Sequence, residues 1–179
     1  KVIVSTEHAT GAAGILINTE GQNAINVVPG ASGALTISDI DNASNVIEKS
    51  SVFLTQLEAP KEVVLYAIKM AKDNNVTTIL NPAPASEINK DIFPLIDYFT
   101  PNETEAEFYT GVKINNENDA KNSAKKLIDM GIKKVIITLG EKGLFYSDGK
   151  EEIYMKATPD KAVDKIRTLP RICLAPRTT

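Results

Sequence analysis

The sequence predicts an α/β fold in which a parallel β-sheet is covered by helices on both faces, together with a small separate pair of β-strands. Three observations support this prediction. Apolar runs of strand length alternate along the chain with amphipathic segments of helix length. The apolar runs are nearly continuous, which is typical of parallel strands buried on both faces. Two further β-rich segments precede the first of these runs and are separated by a short turn.

The two N-terminal strands are expected at residues 12–18 and 23–28, around a turn at Glu20-Gly21-Gln22. A helix follows over about residues 38–49, with Ser38 as its N-cap. Strands and helices then alternate, with strands at 51–57, 76–80, 97–100 and 134–139 and helices at 60–74, 102–110 and 118–130. An antiparallel pair at 143–147 and 151–155 completes the pattern. The helices at 60–74 and 118–130 each carry an apolar stripe at helical spacing.

The composition excludes several classes of partner and location. The chain has 179 residues, of which 42% are hydrophobic and 24% charged, and this suits one globular domain. A net charge of −3 without a basic run argues against nucleic acid and anionic membranes as partners. No apolar stretch approaches the roughly 20 residues of a membrane span, and no signal-peptide pattern opens the sequence. We therefore expect a cytoplasmic protein.

Polar and turn-forming residues follow four of the predicted strands, at the edge where parallel α/β sheets bind their ligands. These segments are Gln56-Leu57-Glu58, Asn81-Pro82-Ala83-Pro84, Thr100 through Glu107, and Thr138-Leu139-Gly140-Glu141-Lys142-Gly143. The Glu58 carboxylate can accept hydrogen bonds from sugar hydroxyls. An acid just before helix 60–74 also favours the N-terminus of that helix. Both interpretations of Glu58 stay open at this point.

Asn102 and Glu105 stand at the start of the helix 102–110, three residues apart, which is the spacing of a capping box. The same two side chains lie on one side of the first turn, where they can organise water and Mg²⁺ around nucleotide phosphates. The two roles are compatible with each other. Residues 138–143 contain two glycines, so their amides can approach a phosphate or a purine, although most such turns are only tight loops.

The ordered set of these four segments resembles ribokinases and their phosphofructokinase-B-type relatives, a family of carbohydrate kinases. Three earlier segments extend the resemblance, namely Thr10-Gly11-Ala12-Ala13, Gly21-Gln22-Asn23 and Val28-Pro29-Gly30-Ala31. The match runs from about Thr10 to Asp164. Each motif is weak alone, but the ordered set is specific. Gln56-Leu57-Glu58 together with Asn81-Pro82-Ala83-Pro84 favours ribokinases over fructokinases and adenosine kinases.

The resemblance implies ATP-dependent phosphorylation of a small sugar, with D-ribose converted to ribose 5-phosphate as the favoured case. It implies that Glu58 binds the sugar, that Asn102 contacts an ATP phosphate and that Glu105 belongs to the Mg²⁺–phosphate motif. The residues that would line the nucleotide site are Thr138, Leu139, Gly140, Glu141, Lys142 and Gly143. Asp164 would begin a loop that binds a monovalent cation such as K⁺.

The resemblance also divides the chain and implies an assembly. Residues of about 10–30 would form half of a small β lid over the sugar, and residues 34–164 would form a ribokinase-like α/β core. The intact enzyme would be a homodimer. Because the sequence opens at Lys1 without the family's glycine-rich sugar-binding segment, we expect it to begin inside a longer protein.

The catalytic aspartate of the family is missing from the position where the resemblance places it. In the family, a Thr-Thr-(Gly/Ala)-Ala-Gly-Asp segment follows the Val-Asp pair and supplies an anion hole and the general base. Here Asp164 is followed by a tail, residues 165–179, in which Pro170 stands at the expected position of the base. No catalytic residue can be assigned, and we expect the chain to be close to inactive.

Two alternatives stay open beside this hypothesis. The protein can be a kinase for another sugar or for a nucleoside, because the family's N-terminal segment carries most of the sugar contacts. It can also be a non-catalytic nucleotide-binding protein that keeps Asn102, Glu105 and Gly140 without a base. Measuring ATP affinity alongside turnover separates the second alternative from a kinase.

The tail is expected to be read out of frame from just after Asp164. All the arginines of the chain and its one cysteine lie after residue 166, whereas the residues before it use only lysine as a strong base. A divergent natural terminus is the alternative. Sequencing the coding DNA tests the prediction: another frame after codon 164 should encode an Ala/Gly-rich stretch ending in Asp. A DNA sequence without such a frame would disprove it.

Overall fold

The computed structural model describes residues 2–18 and 23–158. Its strands are β1 (Ala12–Ile17), β2 (Asn23–Val28), β3 (Val52–Thr55), β4 (Thr77–Leu80), β5 (Tyr98–Phe99), β6 (Lys134–Thr138), β7 (Leu144–Ser147) and β8 (Glu152–Met155). Its α-helices are α1 (Ile37–Asp41), α2 (Ser44–Glu48), α3 (Lys61–Asp73), α4 (Glu103–Thr110) and α5 (Glu117–Asp129). Short 3₁₀ helices span Gly30–Ala34, Lys90–Leu95 and Gly140–Lys142.

Strands β3 to β8 form one six-stranded sheet in chain order. Strands β3, β4, β5 and β6 are parallel, and β7 and β8 extend the sheet in antiparallel fashion. The predicted parallel α/β sheet and its antiparallel pair are confirmed. Strands β1 and β2 form a separate antiparallel ribbon, as predicted, whereas its turn at residues 20–22 lies outside the described residues.

Within residues 2–18 and 23–158, helices α3 and α5 pack against the large sheet through their buried faces. Each connection from β3 to β6 steps across the sheet in the same direction, and right-handed crossovers then lie on one side. The predicted stripes of α3 and α5 pack onto this side. The buried apolar strand residues beneath them are Leu80, Phe99, Val135, Ile137 and Phe145.

The opposite face of the sheet carries exposed apolar side chains, because neighbouring strand residues point to opposite faces. Leu54 on β3 is 66% exposed and Met155 on β8 is 58% exposed. We expect the isolated chain to be marginally stable and to bind hydrophobic dyes or self-associate. Leu54→Lys should reduce both effects without loss of secondary structure. Dye fluorescence and sedimentation velocity measure them, and a dye-free, cooperative, high-melting monomer would contradict the prediction.

The segment predicted as one helix over residues 38–49 forms the two short helices α1 and α2, so the prediction of a single helix was wrong. The N-cap is also Thr36, not Ser38. The Thr36 backbone N–H donates to Asp39 Oδ2 at 2.9 Å, and the Asp39 N–H donates to Thr36 Oγ1 at 3.4 Å. Ser38 has the same spacing to Asp41, but the Asp41 carboxylate accepts the Tyr66 hydroxyl instead, at 2.6 Å.

Asp97, just before β5, forms hydrogen bonds to residues of α3 and β4 and to the residue before β6, at the amino ends of the strands. Its carboxylate accepts hydrogen bonds from Lys72 Nζ at 2.6 Å, Lys133 Nζ at 2.9 Å and the Thr78 backbone N–H at 3.0 Å. Burial alone raises the pKa of Asp97. The hydrogen bonds from Lys133, Lys72 and Thr78 outweigh burial and hold this pKa well below its ordinary value.

Asp97→Asn should lower the free energy of unfolding by about 1–3 kcal/mol at pH 7, because two lysines lose their charged partner. A depressed folded-state pKa stabilises the protein above the unfolded value of about 3.9 and loses this effect as pH falls below it. The gap between wild type and variant should therefore shrink in acid. Urea unfolding at several pH values measures it. Asp129→Asn, which removes an exposed pair with Lys125, serves as a near-neutral control. A pH-independent gap would contradict the prediction.

Candidate functional site

Backbone hydrogen bonds join the segments that follow the four parallel strands, at the carboxyl edge of the sheet. These bonds run from Leu57 N to Ala83 O, from Asn81 N to Thr55 O, from Thr100 N to Leu80 O and from Thr138 N to Pro101 O, each between 2.9 and 3.0 Å. Asn102 and Thr138 also form an isolated parallel bridge. The structure thus brings the four segments singled out in the sequence side by side along one edge.

Glu58 lies just beyond the end of β3 with an exposed side chain. The residue before it, Leu57, is buried and fixes this segment against the core. Helix α3 begins after Pro60, which contributes no side-chain cap, and Glu58 lies two positions before that N-cap. The Glu58 carboxylate is therefore accessible to a ligand above the carboxyl edge of the sheet.

Asn102 and Glu105 form the predicted capping box at the start of α4. The Glu105 N–H donates to Asn102 Oδ1 at 2.8 Å, and the Asn102 N–H donates to Glu105 Oε2 at 2.8 Å. Glu105 is only 8% exposed, whereas Asn102 is exposed. The box leaves Asn102 Nδ2 and Glu105 Oε1 outside its two bonds. Both residues can therefore cap the helix and still offer a polar atom to a ligand.

Residues 138–143 form a turn whose two glycines have different roles. Leu139 N donates to Gly143 O at 2.8 Å, and Gly143 N donates to Gly140 O at 3.1 Å. Gly143, at φ +111°, packs so tightly that a Cβ there would overlap the carbonyl oxygen of Met155. Gly140 has φ +54°, and no atom lies within 4 Å of the place its Cβ would take. The backbone at Gly140 is thus open to a ligand.

The donor set limits how a metal can bind. Among the described residues, no group of three or more His, Cys, Asp or Glu side chains could hold a metal ion. Mg²⁺ usually keeps several waters and binds through one or two carboxylates together with substrate phosphates. The single carboxylate of Glu105 fits this way of binding Mg²⁺. Asp164, predicted to bind a monovalent cation, and Pro170, at the expected position of the base, lie outside the described residues.

Two contacts to the 138–143 turn were not identified from the sequence. The Tyr154 hydroxyl donates to Lys142 O at 2.8 Å, and Lys142 Nζ donates to Asn115 O at 3.0 Å. These partners lie 12 and 27 residues from Lys142 along the chain. No local pattern in the sequence indicates such contacts, because each depends on the pairing of distant elements.

In residues 2–18 and 23–158, no helix is long and apolar enough to cross a membrane.

Comparison with known proteins matches residues 1–166 to the family model described as pfkB family carbohydrate kinase. The chain is 39% identical over 163 residues to a ribokinase of Staphylococcus aureus, covering 91% of this chain and 54% of that protein. It is 34% identical over 157 residues to a deoxyribokinase of Salmonella typhi, covering 87% and 51% of the two chains.

Solved structures show the same fold. The structure of Arabidopsis thaliana ribokinase complexed with ribose and ATP superposes with a TM-score of 0.73 at 26% identity, covering 86% of this chain and 50% of that one. The chain spans about half the length of these relatives. From the family match over almost its whole length, together with the parallel sheet and the edge segments, the chain belongs to the pfkB family of carbohydrate kinases.

Proposed function

We propose that this protein transfers the γ-phosphoryl group of MgATP to a small sugar, with D-ribose converted to ribose 5-phosphate as the favoured case. The observation that carries the proposal is the alignment of Glu58, Asn102 and the open turn at Gly140 along one edge of the sheet. The names of the relatives, a ribokinase and a ribokinase bound to ribose and ATP, support it.

The spacing of the strands fits two substrates side by side. Glu58 follows β3 and Asn102 follows β5, two strands away, so their backbones lie about 10 Å apart. Residues 138–143 follow the next strand, about 5 Å further on. In this proposal Glu58 accepts hydrogen bonds from sugar hydroxyls and orients the sugar. The amides of the 138–143 turn and the Asn102 side chain donate to ATP phosphates. The γ-phosphoryl group then lies between Glu58 on the sugar side and Asn102 with the 138–143 turn on the ATP side.

Glu105 would hold Mg²⁺ through its waters, and the ion would neutralise phosphate charge. Further proposals follow from the family resemblance: a monovalent cation such as K⁺ at Asp164, a β lid formed in part by β1 and β2, a homodimer and a cytoplasmic location. Each concerns the whole protein, and this chain spans about half the length of its relatives.

We also propose that the chain turns over poorly, since Pro170 stands where the resemblance places the general base. Loss of a general base typically lowers turnover by about 10²–10⁴-fold. This same observation favours one second candidate function, a nucleotide-binding protein without catalysis. A kinase acting on another sugar or a nucleoside is the alternative within the same class.

Binding and turnover measured together test the proposal. Titration calorimetry with MgATP, and assays of ADP formation with D-ribose, 2-deoxyribose, fructose and adenosine, should be run beside the Staphylococcus aureus ribokinase. We expect MgATP binding, with turnover at least about 100-fold below that of the relative. A chain that binds no MgATP would refute the proposal. A chain that turns over as fast as the relative would refute its inactivity.

A further inference from the structure

The proposed nucleotide turn has few restraints of its own. Gly140, Glu141 and Lys142 are exposed. Within the turn, Leu139 N donates to Gly143 O at 2.8 Å, Lys142 N donates to Leu139 O at 3.0 Å and Gly143 N donates to Gly140 O at 3.1 Å. A short 3₁₀ turn with exposed residues opens easily, because its hydrogen bonds have poor geometry and compete with water. Contacts from outside the turn therefore decide how well it is ordered.

Two contacts from outside the turn reach Lys142. The first comes from Tyr154, whose position in the sheet is fixed by its packing. Tyr154 pairs with Phe145 across β7 and β8. Its ring packs against the hydrophobic core between the sheet and the helices. Its hydroxyl reaches Lys142 O at 2.8 Å. On the other side, the Lys142 ammonium donates to Asn115 O in the connection between α4 and α5. The close packing of Gly143 on Met155 fixes the end of the turn.

We propose that Tyr154 is a positioning residue for nucleotide binding, which holds residues 140–143 in the conformation that receives MgATP. Asn115 supports the same conformation through Lys142. The inference rests on the proposed function, since it assigns the turn to the nucleotide. Tyr154 itself does not touch the nucleotide; it acts through the carbonyl group of Lys142, so that the turn amides are ordered before ATP arrives.

Tyr154→Phe removes only the hydroxyl and keeps the ring in the core. We expect it to raise the dissociation constant for MgATP about 3- to 10-fold, the effect of one hydrogen bond. It should also speed amide hydrogen exchange within residues 139–143. Tyr66→Phe is the matched control, because it also removes one exposed tyrosine hydroxyl bond, to Asp41, away from the turn. This control should change neither quantity.

The outcomes separate the two proposals. If the wild-type chain binds MgATP and Tyr154→Phe changes neither the MgATP affinity nor the amide exchange, this inference is overturned. The proposed function would still stand. Equal losses of MgATP affinity in Tyr154→Phe and Tyr66→Phe would also overturn it, since the effect would then be a general loss of stability. A wild-type chain that binds no MgATP would overturn both proposals together.

Discussion

Gly140→Val is expected to raise the dissociation constant for MgATP at least about tenfold, the effect of losing 1.4 kcal/mol of binding energy. The valine side chain would project into the open space above the turn, where the nucleotide is proposed to lie. It would also strain a backbone with φ +54°, which costs about 1–2 kcal/mol for a residue other than glycine. Steric exclusion of the ligand and strain in the turn therefore act in the same direction.

Gly111→Val is the matched control for this change. Gly111 also has a positive φ, +67°, and no atom lies within 4 Å of its would-be Cβ. It ends α4, about 14 Å along the helix from Asn102. Both variants should lose similar stability in urea unfolding, while only Gly140→Val should lose MgATP affinity in calorimetry. Equal affinities in the two variants would exclude the turn from the nucleotide site.

Glu58→Ala is expected to weaken D-ribose binding about 10- to 150-fold, because hydrogen bonds to a charged group contribute about 1.5–3 kcal/mol. The measurement is calorimetry with D-ribose in a form of the protein extended to the length of its relatives. MgATP affinity should stay unchanged, since Glu58 lies two strands away from Asn102.

Glu62→Ala separates the two interpretations of Glu58. Glu62 is an acid in the first turn of α3 and shares any favourable interaction with the N-terminus of that helix. If Glu58 only stabilises α3, both variants will lower the unfolding free energy and neither will change sugar affinity. Weaker ribose binding in Glu58→Ala alone would support the binding role.

The sheet was predictable because its signals are local. Each apolar run is short enough to be found within one window, and the ends of α4 are set by Asn102 and Gly111. The coverage of its faces was not predictable in the same way, since it depends on the direction in which successive strands are added. The start of α1 shows another limit. Two pairs there have capping-box spacing, Thr36 with Asp39 and Ser38 with Asp41. The first pair forms the cap, because the distant Tyr66 hydroxyl donates to Asp41.

The candidate site was predictable to the extent that it follows from topology. Parallel strands bring their carboxyl ends to one edge, so Glu58, Asn102 and Gly140 were expected near one another from strand order alone. Their supporting contacts were not, because Tyr154 and Asn115 reach Lys142 through tertiary packing. Apolar periodicity assigns Tyr154 to a strand but gives no sign of which carbonyl its hydroxyl meets.

Hydrogen exchange measured with and without MgATP locates the nucleotide site. We expect MgATP to slow amide exchange at residues 100–105 and 138–143, at the carboxyl edge of the sheet. The lysine-lined cavity of about 340 Å³ at the opposite, amino edge, beside Lys72, Lys133 and Lys134, should be unaffected. Protection confined to that cavity, with no change at residues 138–143, would contradict a nucleotide site at the carboxyl edge of the sheet.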